Sequence, residues 1–424
     1  MKYTNNIFHK AYNIINKSEC VFKTPLEKNN ILSEKYGCNI YLKREDLQSI
    51  RSFKIRGPTY KLSINLEKEF SNKKNIRPIT ASAGNHAQGV AMISNSLNLQ
   101  HDIFVPINTP KQKIDKIKYF GKEYLNLHLV GNTFDEALYA SKEYEYNFKN
   151  YNKDKDFINP IFIHPFDDDD IIIGNSTIAT EIYNEIKPDI IIGTIGGGGL
   201  LSGISSYSKF INPDCKIYGV QPKYADSMKQ SIEINKLISL NKICTFVDGA
   251  SVKTPGRKTF DICKNNIDKI YNVNNNKLCS NLIDLYQDSG IISEPAGCLP
   301  ICILDEIQNI KNKNIVCILS GGNNDITRYN EMLEKAAIHK NLKHYFILNF
   351  IQKPGQLKSY VNLILDIDDD IFRFEYLKKN NREFGSILIG IETTNINNIL
   401  NNMDYYNYKY KKIEENDILY NYLI

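Results

Sequence analysis

The stretch Asp189-Ile190-Ile191-Ile192-Gly193-Thr194-Ile195-Gly196-Gly197-Gly198-Gly199-Leu200-Leu201-Ser202-Gly203 decides the fold. Its apolar run Ile190 to Ile195 reads as a buried strand, and four glycines follow it. Consecutive glycines bring no packing value and an entropic penalty at each position, so the expectation is a loop whose N–H groups wrap an anion. The spacing excludes a Walker loop, because Gly198-x4-Gly203 is followed by Ile204 and Ser205 with no lysine. It also breaks the dinucleotide fingerprint, because Gly196-x-Gly198-x-x ends in Leu201. A phosphate remains the natural guest, and nucleotide-binding kinases and dehydrogenases fail on this loop.

Outward from this strand, similar runs recur: Asn39 to Leu42, Ile76 to Thr80, His101 to Val105, Leu125 to Val130, Lys216 to Val220 and Asn314 to Leu319. Helical periodicity lies between them, for example over Gln88 to Leu97, Thr133 to Tyr146 and Asn281 to Ser289. Alternation at this spacing predicts an α/β protein, a parallel sheet wrapped by helices, through about residue 338. Beyond Lys340 the order becomes strand (Lys343 to Phe350), helix (Pro354 to Leu365), strands (Ile371 to Lys379, Phe384 to Ile391), helix (Ile396 to Met403) and strand (Tyr408 to Ile413). That βαββαβ order predicts a ferredoxin-like α+β domain. The expected division is therefore 1–340 and 341–424, with a smaller lobe inserted at about 50–150.

The chain has 424 residues, 42% hydrophobic and 24% charged, an ordinary globular composition. Its net charge of +5 is scattered and forms no basic block, which argues against a nucleic-acid partner. No apolar run approaches the roughly 20 residues of a membrane span, and the polar start is no signal peptide, so a cytoplasmic protein is expected. The nine cysteines form no Cys-x-x-Cys pair and are read as reduced, buried thiols with no metal or disulfide framework.

Three further stretches carry candidate chemistry. Lys54, in Arg51-Ser52-Phe53-Lys54-Ile55-Arg56-Gly57, reads alone as a surface lysine, yet its place after an aromatic and before a helix start suits a cleft. There, loss of its proton would make it a base or a nucleophile. Thr80-Ala81-Ser82-Ala83-Gly84-Asn85-His86-Ala87-Gln88-Gly89 is either a plain strand-to-helix turn or a helix start whose free N–H groups receive a carboxylate. Ser320, in Leu319-Ser320-Gly321-Gly322-Asn323-Asn324-Asp325, is either part of a turn or a hydroxyl over the crevice at the carboxyl end of a strand.

Jointly, these features resemble the pyridoxal-phosphate enzymes of fold type II (tryptophan synthase β-like), and among them the biosynthetic threonine ammonia-lyases, also called threonine dehydratases or deaminases. The resemblance runs through Lys43–Gly57 (KREDLQSIRSFKIRG), Thr80–Ala91 (TASAGNHAQGVA), Thr109–Gly121 (TPKQKIDKIKYFG), Ile163–Ile182 (IHPFDDDDIIIGNSTIATEI), Gly196–Gly203, Phe246–Val252 (FVDGASV), Ser293–Gly297 (SEPAG) and Ser320–Asp325 (SGGNND). It continues through Leu342–Tyr360 and Asp370–Glu392, which resemble a single ACT-like regulatory domain. The implied fold is a catalytic part of two open-sheet lobes followed by that domain.

The resemblance implies pyridoxal 5'-phosphate as cofactor, joined to Lys54 as an internal aldimine, with Phe53 near the pyridine ring. It implies Asn85 on the phenolic oxygen, Gly196, Gly197, Gly198, Gly199 and Leu200 around the phosphate, and Ser320 at the pyridine nitrogen. Ser82, Ala83, Gly84, Asn85 and His86 would hold the substrate carboxylate. The implied reaction deaminates L-threonine to 2-oxobutanoate and ammonia, the entry to isoleucine. A serine-preferring dehydratase is the near alternative, and a non-catalytic amino-acid sensor the distant one. Isoleucine and valine are implied effectors, expected at the turn Lys353-Pro354-Gly355-Gln356-Leu357, and the implied assembly is a homotetramer. Related racemases hold a divalent cation near Gln221 to Ser227, but Gln221 and Ser227 occupy the acidic positions here, so no metal is expected. The run Asp167 to Asp170 is read as a solvated or capping loop. Asn175, in Asn175-Ser176-Thr177 where Gln-Gly-Thr is commoner, is read as remote from the chemistry.

Overall fold

A computed structural model describes residues 3–68, 76–151, 159–377, 383–414 and 417–423. The chain divides into two compact units, Met1–Asn274 with Asp288–Asn324, and Asn275–Gln287 with Asp325–Ile424.

The first unit holds two sheets. Six strands run in the order Leu26–Lys28, Asn39–Arg44, Asn314–Leu319, Ile190–Thr194, Lys216–Pro222, Lys269–Val273, parallel except for the first pair. Four parallel strands form the other sheet, in the order Leu125–Leu129, His101–Val105, Ile76–Ala81, Asn159–Phe162. Helices cover both faces of a parallel sheet, so its inner strands are buried on both sides and read as unbroken apolar runs. Ile190–Thr194 is buried at every position. All seven strands expected from such runs are present. The three not expected, Leu26–Lys28, Asn159–Phe162 and Lys269–Val273, are all sheet edges, and a strand with one open side needs no continuous apolar run.

Register places the site. Asn314–Leu319 lies beside Ile190–Thr194 with Ile315 opposite Ile190 and Cys317 opposite Ile192. Their carboxyl ends therefore open side by side, bringing Ser320 and the glycine loop to one edge of the sheet, where crevices form in open α/β folds.

The second unit has the expected βαββαβ order: Lys343–Ile351, Gln356–Ile364, Asp370–Leu377, Phe384–Glu392, Ile396–Tyr405 and Tyr410–Lys412. Its antiparallel sheet runs Asp370–Leu377, Phe384–Glu392, Lys343–Ile351, Tyr410–Lys412, the ferredoxin-like arrangement. Residues 378 and 379, expected to end the second strand, lie outside the described residues. Strand alternation sends Phe346, Leu348, Ile387 and Ile389 to a core with Tyr360 and Met403 of the two helices. Tyr345, Ile347, Phe372 and Leu388 go to the other face, with Ile338, Tyr420 and Leu423.

None of the nine cysteines is in a disulfide; all are buried except Cys244, which is half-buried. No helix among the described residues is long and apolar enough to cross a membrane.

Candidate active site

Lys54 lies in a short 3₁₀ turn, Phe53–Ile55, opened by Ser52, whose Oγ accepts the Lys54 N–H at 3.4 Å. The Phe53 N–H donates to the Ser320 carbonyl at 3.1 Å, so this turn is stitched to the end of strand Asn314–Leu319. Lys54 Nζ donates to the Pro165 carbonyl at 2.8 Å and sits 5.3 Å from the centroid of the Phe53 ring. Burial disfavours the ammonium form and lowers its pKa to about 8, against the pull of the Glu294 carboxylate in the other direction.

Two residues on, Arg56 anchors the lysine. It donates to both oxygens of Glu45, each at 2.8 Å, and to both oxygens of Glu181, at 2.7 and 2.9 Å. Lys43 Nζ joins Glu181 at 2.5 Å, and the side chains of Lys43, Glu45, Arg56 and Glu181 are all 0% exposed. Two cations face two carboxylates, so the cluster is neutral as a whole. Burial opposes the charge on Arg56, and the two carboxylates more than offset it, raising its pKa. The cluster ties strand Asn39–Arg44 and helix Arg56–Lys68 to helix Asp169–Tyr183.

Next to Pro165, the ring of Phe166 lies over the glycine loop. A Cβ on Gly197 would stand 2.4 Å from that ring, and one on Gly199 would stand 2.9 Å from the Phe166 Cα. At Gly198, with φ +98°, a Cβ would meet Met228 Cε and Thr259 Cβ, each at 2.7 Å. This corrects the expectation that the glycines bring no packing value: their missing side chains are what let Phe166, Met228 and Thr259 close on the loop. Asn175 is also nearer than expected, since its Nδ2 donates to the Gly199 carbonyl at 3.1 Å. His164 shapes the Pro165-Phe166 turn through Nδ1, which accepts the N–H groups of Phe166 and Asp167 at 3.2 and 2.8 Å.

Gly198 precedes helix Gly199–Ile211 without a side-chain cap. Among the described residues, no acceptor receives the N–H groups of Gly196, Gly197, Gly198, Gly199 or Leu200, and all but Gly196 are buried. Buried N–H groups are normally paired, and a run of them at a helix start suits a phosphate. The acidic run, by contrast, is capping: Asp167 accepts the N–H groups of Arg257, Lys258 and Thr259, and Asp168 caps its own helix.

A second open helix start begins at Asn85. Gly84 precedes helix Asn85–Ser96 with no side-chain cap, and its N–H goes to Ser82 Oγ at 3.2 Å. The N–H groups of Ala83, Asn85 and His86 have no acceptor among the described residues, an arrangement suited to a carboxylate. Asn85 Nδ2 donates to Glu294 at 2.9 and 3.1 Å, and its Oδ1 accepts from Asn323 Nδ2 at 2.9 Å. The His86 ring is buried, with Nε2 at 3.0 Å from the Ile163 carbonyl, and burial with the nearby Lys54 charge lowers its pKa to about 3. It is a neutral, fixed ring.

Sequence reasoning assigned Glu294 no role. It is 8% exposed, burial raises its pKa to about 7 against the Asn85 amide, and its N–H donates to the Gly321 carbonyl at 3.0 Å. Its only sequence signal was its place within Ser293–Gly297. Ser320 is buried and its hydroxyl has no hydrogen bond among the described residues. Gln221 and Ser227 hold neighbouring backbone: Gln221 Oε1 accepts the Lys229 N–H at 2.9 Å, and Ser227 donates to Val252 at 2.7 Å.

Lys54, Asn85, Glu294, Ser320 and the glycine loop are thus linked within one unit. An unpaired N–H cradle, an unpaired hydroxyl and a buried amine fit a phosphate-bearing heterocyclic aldehyde.

Residues 17–321 match the family of pyridoxal-phosphate dependent enzymes, and residues 334–423 match the C-terminal regulatory domain of threonine dehydratase. The biosynthetic L-threonine dehydratase IlvA of Halalkalibacterium halodurans is 44% identical, with 96% of each chain covered. That of Bacillus subtilis is 41% identical over 96% of this chain and 95% of its own. The solved structure of the processed form of threonine deaminase isoform 2 from Solanum lycopersicum superposes with a TM-score of 0.70 at 36% identity, covering 80% of this chain and 90% of that one. The chain therefore belongs to the pyridoxal-phosphate-dependent enzymes and, among them, to the biosynthetic threonine dehydratases with a C-terminal regulatory domain.

Proposed function

We propose that this protein deaminates L-threonine to 2-oxobutanoate and ammonia in the cytoplasm, as the entry to isoleucine synthesis. The observation that carries the reading is the Pro165-Phe166 step, which takes the Lys54 amine on its carbonyl and packs its ring on a loop of unpaired N–H groups. In this reading Lys54 holds the cofactor, and the N–H groups of Gly196 to Leu200 receive its phosphate. Phe53 walls the ring, Asn85 serves the ring oxygen and Ser320 the ring nitrogen. Bound pyridoxal phosphate supplies an electron sink for the bond broken at the α-carbon.

The chain's own groups do the rest. Within the turn from Ser82 to His86, the N–H groups of Ala83, Asn85 and His86 orient the substrate carboxylate at a helix start, those of Ser82 and Gly84 being taken by the Phe104 carbonyl and Ser82 Oγ. Lys54 Nζ, kept partly neutral by burial, takes the α-proton as general base. Ser320 offers a neutral hydroxyl where a carboxylate would stabilise a protonated ring nitrogen, which favours elimination of the β-hydroxyl over racemisation. The fixed neutral His86 adds no charge against the substrate.

The catalytic part is placed within 1–340, with its smaller lobe at about 50–150, and the regulatory domain at 341–424. We assign isoleucine as feedback inhibitor, with valine as a second effector, and a homotetramer as the working assembly. Borohydride reduction followed by peptide mapping is expected to find the pyridoxyl group on Lys54, and kcat/KM is expected to favour threonine over serine. A label elsewhere would end the site assignment, and a clear serine preference would end the substrate assignment. Threonine turnover unchanged by isoleucine would remove the feedback assignment, and a monomeric mass by light scattering the tetramer.

A further inference from the structure

The feedback reading placed the effector at the turn Lys353 to Leu357, but a different part of the second unit is built for an amino acid. A cavity of about 360 Å³ opens on the sheet face opposite the two helices. Pockets for small molecules run from roughly 300 to 1,000 Å³, so it has the size of a small ligand site.

Its walls are of three kinds. Phe372, Tyr345 and Leu423 supply apolar surface, with the rings of Tyr345 and Phe372 edge to face at 5.3 Å. Arg373 supplies a cation: its Nε and one terminal nitrogen both go to the same oxygen of Glu375, at 2.9 and 2.8 Å, its other terminal nitrogen lies 3.4 Å from the Leu423 carbonyl, and the guanidinium also interacts with the Tyr345 hydroxyl. Glu331 and Glu334 supply anions. Glu334 is held by Tyr345 Oη at 2.7 Å and Lys343 Nζ at 2.9 Å, whereas Glu331, among the described residues, has loose ion pairs to Lys335 at 3.7 Å and Arg328 at 3.9 Å.

A local irregularity of the strand makes this combination. Neighbouring strand residues normally point to opposite faces, yet Phe372 and Arg373 both line the cavity. The register slips between Ile371, opposite Ile391, and Arg373, opposite Gly390, so Phe372 is the extra residue of a bulge. Gly390 leaves the room: a Cβ there would stand 2.6 Å from Phe372 Cζ and 3.0 Å from Arg373 Cβ. Bulges that re-aim side chains recur at functional positions.

We infer that this cavity is the effector site, taking a small branched aliphatic α-amino acid with its carboxylate on Arg373, its ammonium on Glu331 and Glu334, and its side chain against Phe372, Tyr345 and Leu423. The inference rests on the feedback reading for the identity of the ligand and moves its site off the turn.

The chain contains no tryptophan, so Phe372→Trp is a lone fluorescent reporter inside the cavity. Isoleucine titrated into the full-length holoenzyme of this variant is expected to shift its emission saturably, and adding Arg373→Gln is expected to raise Kd about tenfold or more, the loss of one charge-assisted contact. Calorimetric titration of isoleucine into the Arg373→Gln and unsubstituted holoenzymes gives the same comparison without the bulky reporter. Binding that survives Arg373→Gln, binding lost instead in Gln356→Ala, or no binding of isoleucine, valine or leucine overturns the proposal. Threonine turnover without effector is measured alongside; its absence defeats the catalytic reading while the binding comparison still decides this one.

Discussion

Gly198 and Gly355 hold the same local post. Each precedes a helix shortly after a strand, each lies in the left-handed region, at φ +98° and +83°, and neither offers a side-chain cap. Around Gly198 the protein closes in, with Met228 and Thr259 at 2.7 Å from where a Cβ would stand; within 4 Å of a Cβ on Gly355 there is no atom of the described residues. The same backbone device therefore makes a buried cradle at one position and an exposed turn at the other. Unpaired N–H groups become a ligand site when packing removes water from them, because water otherwise satisfies them.

Substitutions on the two sides test this contrast. The largest effect is expected at the support of the buried side: Glu181→Gln removes a carboxylate from between Arg56 and Lys43 and should destabilise the chain by about 3–5 kcal/mol, read from denaturant midpoints. Retained stability would mean the cluster does not hold the cradle. Next comes Gly198→Ala, where left-handed strain of about 1–2 kcal/mol joins overpacking of about 1–3 kcal/mol. Its expected outcome is weakened cofactor retention, followed by the absorbance of the bound cofactor during dialysis.

A third effect is of pH. Burial lowers the Lys54 pKa to about 8, so the neutral form of the amine proposed to attack the cofactor aldehyde grows as pH rises through that value. Attachment of pyridoxal phosphate to the apoenzyme should accelerate about tenfold per pH unit below about 8 and level off above it. A rise that continues unbroken past pH 9 would show that the amine is not desolvated, and a flat profile from pH 6 to 9 would show that its titration does not govern attachment. The smallest effect belongs to the open side: Gly355→Ala carries only the left-handed penalty, about 1 kcal/mol, with cofactor retention and isoleucine binding unchanged. Lost isoleucine response there would return the effector to the turn.

Much of the candidate site was legible because its residues sit in contiguous stretches. Lys54, Asn85, Ser320 and the glycine run each stand at the end of a strand or the start of a helix, and strand ends are visible as apolar runs. Glu294 was not legible, because one carboxylate among 48 acidic residues has no local mark of burial. Asn175 and Phe166 were missed for a related reason: each acts by touching the glycine loop from another segment. The edge strands escaped because their half-exposed sides carry no unbroken apolar run. Phe372 and Arg373 read as ordinary alternating strand residues until the slip against Gly390 turned both to one face.

Residue type and near-neighbour spacing alone carried the alternation of strands and helices, the two architectures, the anion-shaped glycine loop and the candidate lysine. Only the tertiary structure decided that Phe166 closes the loop, that Asn85 meets Glu294, that the acidic run caps helices, and where the second unit opens a cavity. Those depend on which distant segments exclude water from one another, and desolvation is a property of packed neighbours that no single stretch of chain contains.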